Sequence, residues 1–375
     1  MGLIIAKQEE IDSYFASEAI NQSTLKNLAG GLGGFMASVA KRKKEKEENK
    51  PTPEHFLIGS AVDTILTGET EEFEKQYYIS RLDKKPSEVE VSIVKAVYDE
   101  LVDNLVDLES VDFDDCQDMI LIAANEEKWQ TRWKDDTRIL KLVSAGNAYF
   151  QDLVASFGKE ILSTKQNETI QNIVNSLRHH SRTAKYFNRQ LQEEIEDMDF
   201  YYQLPILFKY EGIECKALMD LCAVRRDADG KVIAITPIDL KTMSGGTLQF
   251  SDQIRKRRYD IQAAWYTLAL ASHFDFPIED IDPFLFVVES STSIGSPLVF
   301  EITPETLAHG QTGAPECLFT DSTTGRSIHY KPTFGYEQLL EDYKYYVENE
   351  FREDRILEDN PGPIKLDWLR GVISN

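Results

Sequence analysis

The spacing of hydrophobic residues along the chain changes near residue 200. Before that point apolar residues recur with the 3.6-residue period of helices, and Asn21 or Ser23 can cap the first of them. The helix after Pro53 contains three small residues, Gly59-Ser60-Ala61, which permit close packing against a neighbour. Further helices are predicted at about Glu54–Leu66, Val91–Val106, Ile139–Phe157 and Asn167–Leu177.

After residue 200 three runs rich in β-branched and aromatic residues predict strands. They are separated by Glu211-Gly212 and Asp229-Gly230, which are typical hairpin turns. The strands are Tyr201–Tyr210, Ile213–Arg225 and Lys231–Leu240, followed by a helix at Tyr259–Ala271 and two strands at Phe284–Glu289 and Leu298–Ile302. This order predicts a mixed α/β core. Residues 1–195 are predicted to be mainly helical, 196–300 to be the core, and 301–375 a C-terminal extension of unassigned role.

Composition and charge narrow the class of protein. The 375 residues include 42% hydrophobic residues, enough for a sizeable core, so a wholly disordered acidic protein is excluded. The formal charge of −23 opposes binding to nucleic acid unless positive charge is segregated. It is segregated: residues 83–127 hold 14 acidic and 3 basic side chains, whereas 128–192 hold 11 basic and 5 acidic ones.

The chain shows no sign of a membrane or secreted protein. No stretch reaches the roughly 18 to 20 apolar residues that a membrane span requires. The four cysteines, Cys116, Cys215, Cys222 and Cys317, are far apart and form no CxxC pair. They are predicted to be free thiols in a reducing cytoplasm, or the host cytoplasm if the chain is phage-encoded.

The strand region carries the candidate chemistry. Asp220 lies in an apolar strand, and Asp239 and Lys241 close the next one. Residues i and i+2 of a strand share a face, and paired strands lie about 4.8 Å apart. Asp220 and Asp239 are therefore predicted to hold one hard cation, with Lys241 beside it. An ordinary Asp–Lys ion pair at the end of a strand is the alternative.

Two carboxylates and phosphate oxygens are suitable ligands for Mg²⁺ or Mn²⁺. The metal lowers the pKa of a bound water, and a lysine can orient or deprotonate that water. The pattern therefore favours phosphodiester cleavage.

Two helices add candidates to this set. Asp63, one turn after Gly59, is either a third metal ligand or a surface residue of an amphipathic helix. Gln262 and Tyr266 share a helix face and can hydrogen-bond a phosphate or the catalytic strand, or simply form a polar edge of the core. The basic run before that helix is the candidate DNA contact: Arg255, Lys256, Arg257 and Arg258.

The ordered set resembles the motifs of the PD-(D/E)xK nuclease superfamily, and especially its RecE-like and RecB-like (lambda-exonuclease-like) exonucleases. The motifs are Gly59-x-Ala61-x-Asp63, Gly212…Asp220, Asp239-x-Lys241 and Gln262-x-x-x-Tyr266. Ile20–Lys26 is similar to the Ser-x-Leu opening helix of the RecE type. The resemblance covers about residues 12–290.

The resemblance implies a restriction-endonuclease-like core, a mixed central sheet flanked by helices, with a helical N-terminal elaboration. It implies a Mg²⁺-dependent exodeoxyribonuclease that digests linear double-stranded DNA from 5′ to 3′ and leaves 3′ tails for recombination. A single-strand annealing recombinase would be a partner, and a homo-oligomeric ring the assembly. Carried over by position, Asp63, Asp220, Asp239 and the Leu240 carbonyl would bind metal, while Lys241 would act on the water.

Two departures and three alternatives remain. The family often has His where Asp63 stands, and Glu where Gln203 precedes Leu204-Pro205. An amide lacks the negative charge of Glu, so a catalytically weak or inactive DNA-binding protein is the main alternative. The nuclease domain of a helicase–nuclease or CRISPR-adaptation enzyme is another, although the chain has neither a GxxxxGK[ST] motif nor the four-cysteine cluster pattern. The site itself does not separate exonuclease from endonuclease.

Overall fold

This computed structural model describes residues 2–47, 53–69, 71–80, 82, 86–320, 327–352, 365–367 and 371–373. The chain divides into two compact units: Met1–Gly68 with Ile173–Asn375, and Glu69–Asn172. The division by sequence pattern at residues 195 and 300 stays a prediction. Residues 321–326 and most of 353–375, in the predicted C-terminal extension, lie outside the described residues.

The helices of the described residues are α1 Gln8–Ala16, α2 Gln22–Leu28, α3 Gly31–Glu47, α4 Glu54–Thr67, α5 Glu72–Gln76, α6 Glu88–Asp103, α7 Gln117–Glu126, α8 Asp135–Ser156, α9 Thr164–His179, α10 Ala184–Phe187, α11 Arg189–Glu193, α12 Phe250–Lys256, α13 Tyr259–Phe274, α14 Pro304–Thr312 and α15 Tyr336–Glu348. The strands are β1 Leu3–Ile5, β2 Tyr77–Ile79, β3 Glu160–Leu162, β4 Met198–Tyr210, β5 Ile213–Arg226, β6 Val232–Met243, β7 Leu285–Ser290, β8 Leu298–Glu301, β9 Cys317–Thr320, β10 Ser327–Tyr330, β11 Lys365–Asp367 and β12 Gly371–Ile373. None of the helices described is long and apolar enough to cross a membrane.

A mixed sheet forms the centre of the first unit. Its order, within the described residues, is β1-β4-β5-β6-β7-β8. Strands β4, β5 and β6 form the antiparallel meander that the two turn pairs predict. Strand β1 runs parallel to β4, β7 parallel to β6, and β8 antiparallel to β7. The prediction of a mixed α/β fold is confirmed.

Helix α13 packs its apolar length against this sheet. Ala263, Trp265 and Ala269 are fully buried, and the Trp265 indole donates a hydrogen bond to the Lys216 carbonyl on β5 at 3.0 Å. A helix with apolar residues on all sides is typical of a position inside the core. It therefore holds Gln262 and Tyr266, the polar residues of its first turns, at a fixed place beside the strands.

Two further helices position residues of the first unit: α2 packs against α13, and α4 against the sheet. Helix α2 begins at its cap Asn21, whose side chain accepts the Thr24 N–H at 2.9 Å. Helix α4 lies so near β6 that a Cβ added to Gly59 would come within 2.8 Å of Thr242 Oγ1. The expected close packing is thus confirmed at Gly59, whereas Ser60 is exposed.

The second unit has a core of its own. Helices α6, α7 and α8 enclose Val94, Ile120 and the stacked rings of Phe113 and Phe150, whose centroids are 5.2 Å apart. Strands β2 and β3 form a short parallel pair in the same unit.

Candidate active site

Three carboxylates of the first unit belong to one cleft. Asp63 comes from the last turns of α4, Asp220 from β5 and Asp239 from β6. Asp63 and Asp220 line a cavity of about 490 Å³ together with Lys241. Asp239 does not line the cavity itself; it contacts Lys241 at 2.5 Å and is only 1% exposed. The structure therefore brings together the acidic residues and the lysine that the sequence pattern predicts.

The end of the β5–β6 ladder positions two of these groups. The ladder closes at the pair Leu221–Ile238. One residue further, the Asp220 carboxylate accepts the backbone N–H of Leu240 at 2.9 Å. This hydrogen bond fixes Asp220 against the strand that carries Asp239 and Lys241.

Asp239 is held from two sides. Gln262 on α13 donates its amide N–H to Asp239 Oδ1 at 2.6 Å. The Lys241 ammonium lies 2.5 Å from Oδ2. Oδ2 is buried and, among the described residues, has no donor in hydrogen-bond geometry. A lysine therefore stands where a cation would contact this oxygen.

The charges of the cleft alter its ionisation. Burial, reinforced by the charge of Asp239, raises the pKa of Asp63 to about 6 in spite of its hydrogen bonds. Burial and then the charges of Asp239 and Asp63 raise the pKa of Asp220 well above its usual value. Burial lowers the pKa of Lys241, but Asp239 and Asp220 outweigh burial and the net pKa is raised. The acidic groups thus repel one another, and added positive charge would stabilise their ionised forms.

Gln203 fixes the third carboxylate. Its amide N–H donates to Asp63 Oδ2 at 2.9 Å and lies 2.6 Å from the Thr67 hydroxyl. Its φ of 49° is unusual for a residue inside a strand and costs conformational energy. The two departures from the family pattern, Asp63 and Gln203, are therefore direct hydrogen-bond partners.

Tyr266 lies behind these groups. Burial, then the charges of Asp239 and Asp220, raise the pKa of its hydroxyl well above the usual value. The tyrosine therefore stays protonated beside the carboxylates.

The basic run divides by environment. Arg257 lines the cleft. Arg258 forms an ion pair with Asp260 at 3.0 Å and donates to the Phe334 carbonyl at 2.5 Å. Arg255 donates to the Lys331 carbonyl at 2.6 Å. A DNA contact by Arg255, Lys256, Arg257 or Arg258 stays a prediction.

Two residues near the cleft were missed by sequence reasoning. Lys26 on α2 lies beside the ring of Tyr259, which also faces Lys241. Its position on a short capped helix gave no signal of this contact. Glu289 is fully buried and accepts the N–H groups of Ser290 and Gly295, which orders the turn after β7.

The residues present suit a hard cation in their chemistry. Oxygen donors of carboxylates are the ligands that Mg²⁺ and Mn²⁺ prefer, and Asp239 Oδ2 is a buried carboxylate oxygen whose cationic contact is the Lys241 ammonium. Within the described residues, no group of three or more His, Cys, Asp or Glu side chains already stands at metal-binding spacing. Metal binding at Asp239 would require the Lys241 ammonium to move from its present contact.

Comparisons with known proteins find only distant likenesses, among solved structures. No protein-family model matches the chain, and no curated protein matches its sequence. Among solved structures, the chain is similar to a crystal structure of a candidate exonuclease from Eubacterium rectale, with 14% identity and a TM-score of 0.45. The match covers 93% of this chain and 88% of that one. At this identity and TM-score the likeness indicates no function for the chain.

Proposed function

We propose that the protein is a metal-dependent deoxyribonuclease of the PD-(D/E)xK type that hydrolyses phosphodiester bonds of double-stranded DNA. The observation that carries this proposal is the meeting of Asp63, Asp220 and Asp239 with Lys241 in one cleft. A structural ion pair needs one acid and one base. Three neighbouring carboxylates are costly to bury without a function, and the charge of Asp239 raises the pKa of both Asp63 and Asp220 beyond the effect of burial.

Each residue has a role in this proposal. Asp63, Asp220, Asp239 and the Leu240 carbonyl would hold Mg²⁺ or Mn²⁺, which supplies an activated water and neutralises charge on the phosphate. Lys241, once released from Asp239, would orient the attacking water through its protonated ammonium group. Gln262 keeps Asp239 in place through its hydrogen bond. Tyr266 contributes a protonated hydroxyl at the back of the site.

Exonuclease action on linear duplex ends, from 5′ to 3′, is the finer form of this proposal. It would leave 3′ single-stranded tails for an annealing recombinase, and a ring of subunits would keep the enzyme on its substrate. These features come from the resemblance of the motifs. The basic stretch 128–192 is divided between the two units, and its place in a channel is part of the same proposal.

A second candidate is a DNA-binding protein without turnover. The Lys241–Asp239 contact and the amide at Gln203 favour it, because the first occupies a carboxylate oxygen and the second adds no negative charge. This candidate predicts binding of duplex DNA without cleavage.

A nuclease assay separates these candidates. Purified protein is incubated with linear duplex DNA labelled at its 5′ ends, with Mg²⁺ or Mn²⁺, beside closed circular DNA. Asp239→Asn should abolish label release, whereas Asp229→Asn, an exposed position in the β5–β6 turn, should leave it unchanged. Nicking of the circles would indicate an endonuclease. Binding without cleavage under either metal would favour the second candidate. If the protein neither binds nor cleaves the DNA, the proposal is refuted.

A further inference from the structure

Helix α2 places one cationic side chain, Lys26, beside the ring of Tyr259, which lines the cleft. Leu25 and Leu28 are buried and attach the helix to the core of the first unit, and Asn21 caps it. Lys26 lies between them and is only partly exposed. Its position is therefore set by a well-anchored helix.

Two ammonium groups share the ring of Tyr259. The Lys26 Nζ is 5.4 Å from the ring centroid, and the Lys241 Nζ is 5.2 Å from the same centroid. An aromatic face attracts cations, but it compensates only weakly for a second cation nearby.

The two lysines differ in their anionic partners. Lys241 contacts the Asp239 carboxylate at 2.5 Å. For Lys26, no carboxylate among the described residues lies within ion-pair distance, and its contact is the Tyr259 ring. The site thus holds one lysine in direct contact with a carboxylate and one whose nearest contact is an aromatic ring.

The charges around Lys26 lower the pKa of its ammonium group. Burial and then the positive charge of Lys241 lower the pKa of Lys26 to about 7, with Arg258 acting in the same direction. Asp239 and Asp260 oppose the shift without reversing it. A lysine in such surroundings gains most from an added anion, because an anion neutralises the repulsion and holds the proton.

We propose that Lys26 is a phosphate-binding residue of this cleft. Its ammonium group binds a backbone phosphate of the nucleic acid next to the phosphate at which Lys241 acts. This inference rests on the proposed function only in its choice of nucleic acid as the source of the phosphate. Phosphate oxygens are strong acceptors for an ammonium group, and binding them releases condensed counterions from DNA. Because the anion stabilises protonated Lys26, DNA binding above pH 7 takes up a proton at this residue.

Binding measured without cleavage tests the inference. Fluorescence anisotropy of a labelled duplex, with Ca²⁺ in place of Mg²⁺, is recorded against salt and against pH from 6.5 to 9. Lys26→Met should weaken binding about 8-fold at 0.1 M salt and reduce the log–log salt slope by about 0.9. Lys209→Met, an exposed lysine on β4 paired with Glu214, is the matched control and should keep the wild-type slope.

The arginine variant gives the sharper readout. Wild-type affinity should fall as the pH rises above 7, while Lys26→Arg should bind as tightly at pH 9 as at pH 7, because a guanidinium stays charged. Titration of Asp63 occurs in both proteins and cancels in the comparison. Inorganic phosphate as a competitor should weaken binding by the wild type more than by Lys26→Met.

The outcomes separate this inference from the proposed function. If Lys26→Met keeps the wild-type slope, or Lys26→Arg keeps the wild-type pH dependence, the inference is overturned even where DNA is cleaved. If the predicted changes occur in a protein that cleaves no DNA, the phosphate site stands and the nuclease proposal fails. Competition by phosphate alone, without any DNA binding, would overturn the assignment to nucleic acid.

Discussion

The contact between Gly59 and Thr242 predicts a measurable coupling between α4 and the catalytic strand. A Cβ at position 59 would lie 2.8 Å from Thr242 Oγ1, whereas ordinary van der Waals contacts begin at about 3.4 Å. In Gly59→Ala the helix or the threonine must therefore move by about 0.6 Å. Overpacking of this kind costs about 1–3 kcal/mol, and Ala recovers up to about 1 kcal/mol through its higher helix propensity.

A double-mutant cycle isolates the packing contribution. Thr242→Ala removes the oxygen that the new methyl group would meet, so Gly59→Ala should be harmless or stabilising in that background. The helix-propensity contribution is the same in both backgrounds and cancels. The coupling free energy should therefore be about 1–3 kcal/mol.

The assay must report on the first unit alone, since a chain of two units need not unfold in one step. Trp265 is fully buried in that unit and serves as the probe once Trp129, Trp133 and Trp368 are replaced by Phe. Denaturant unfolding followed by its fluorescence, in EDTA, gives the four free energies. A coupling below about 0.5 kcal/mol would refute the described approach of α4 to β6.

The same cycle bears on the site. Asp63 lies one turn beyond Gly59 on α4, so a shift of the helix displaces its carboxylate. Misplacement of a reacting group by about 1 Å can reduce a rate about 100-fold. Gly59→Ala should therefore lower nuclease activity by about 10-fold or more, and Thr242→Ala should restore part of it.

Three further predictions concern charge. The folded-state pKa of Asp63 is raised to about 6, so ionising this carboxyl group costs stability as the pH rises from about 4 through 6. Asp63→Asn should therefore stabilise the protein by about 1–3 kcal/mol at pH 8 and little at pH 4, as measured by thermal unfolding in EDTA. Equal effects at both pH values would contradict this. Gln203→Glu places a second carboxylate against Asp63 and should lower the melting temperature at pH 8 but not at pH 5; a pH-independent change would indicate a packing effect instead. Arg257→Ala should reduce the log–log salt slope of DNA binding by about 0.9, because Arg257 lines the cleft. Arg258→Ala should chiefly lower the free energy of unfolding, by about 1–3 kcal/mol, because it leaves the buried Asp260 without its partner. A changed salt slope in Arg258→Ala with an unchanged slope in Arg257→Ala would contradict this assignment.

Periodicity was sufficient to predict the elements of the core. The three strands of the meander and α13 were predicted within a few residues of their ends, because each has an uninterrupted pattern and glycine turns mark the strands. The meeting of Asp220, Asp239 and Lys241 also followed from strand geometry, since neighbouring strands fix which residues share a face.

Contacts between distant segments could not be predicted in this way. Nothing in a capped amphipathic helix indicates that Lys26 would share an aromatic ring with Lys241. The positive φ of Gln203 is likewise invisible in a strand pattern, although it aims the amide at Asp63. A run of four basic residues also conceals the difference between Arg257 in the cleft and Arg258 in an ion pair.

The most direct test of the central claim is the rate of Mg²⁺-dependent hydrolysis of linear duplex DNA by the wild type and by Asp220→Asn and Lys241→Met. If the cleft is a nuclease site, the wild type releases nucleotides only with a divalent metal, and each variant is slower by about 100-fold or more. The melting temperature of Asp220→Asn should stay near or above that of the wild type, whereas that of Lys241→Met should fall, because Asp239 then loses its cationic partner. Hydrolysis that persists at the wild-type rate in both variants would contradict the account.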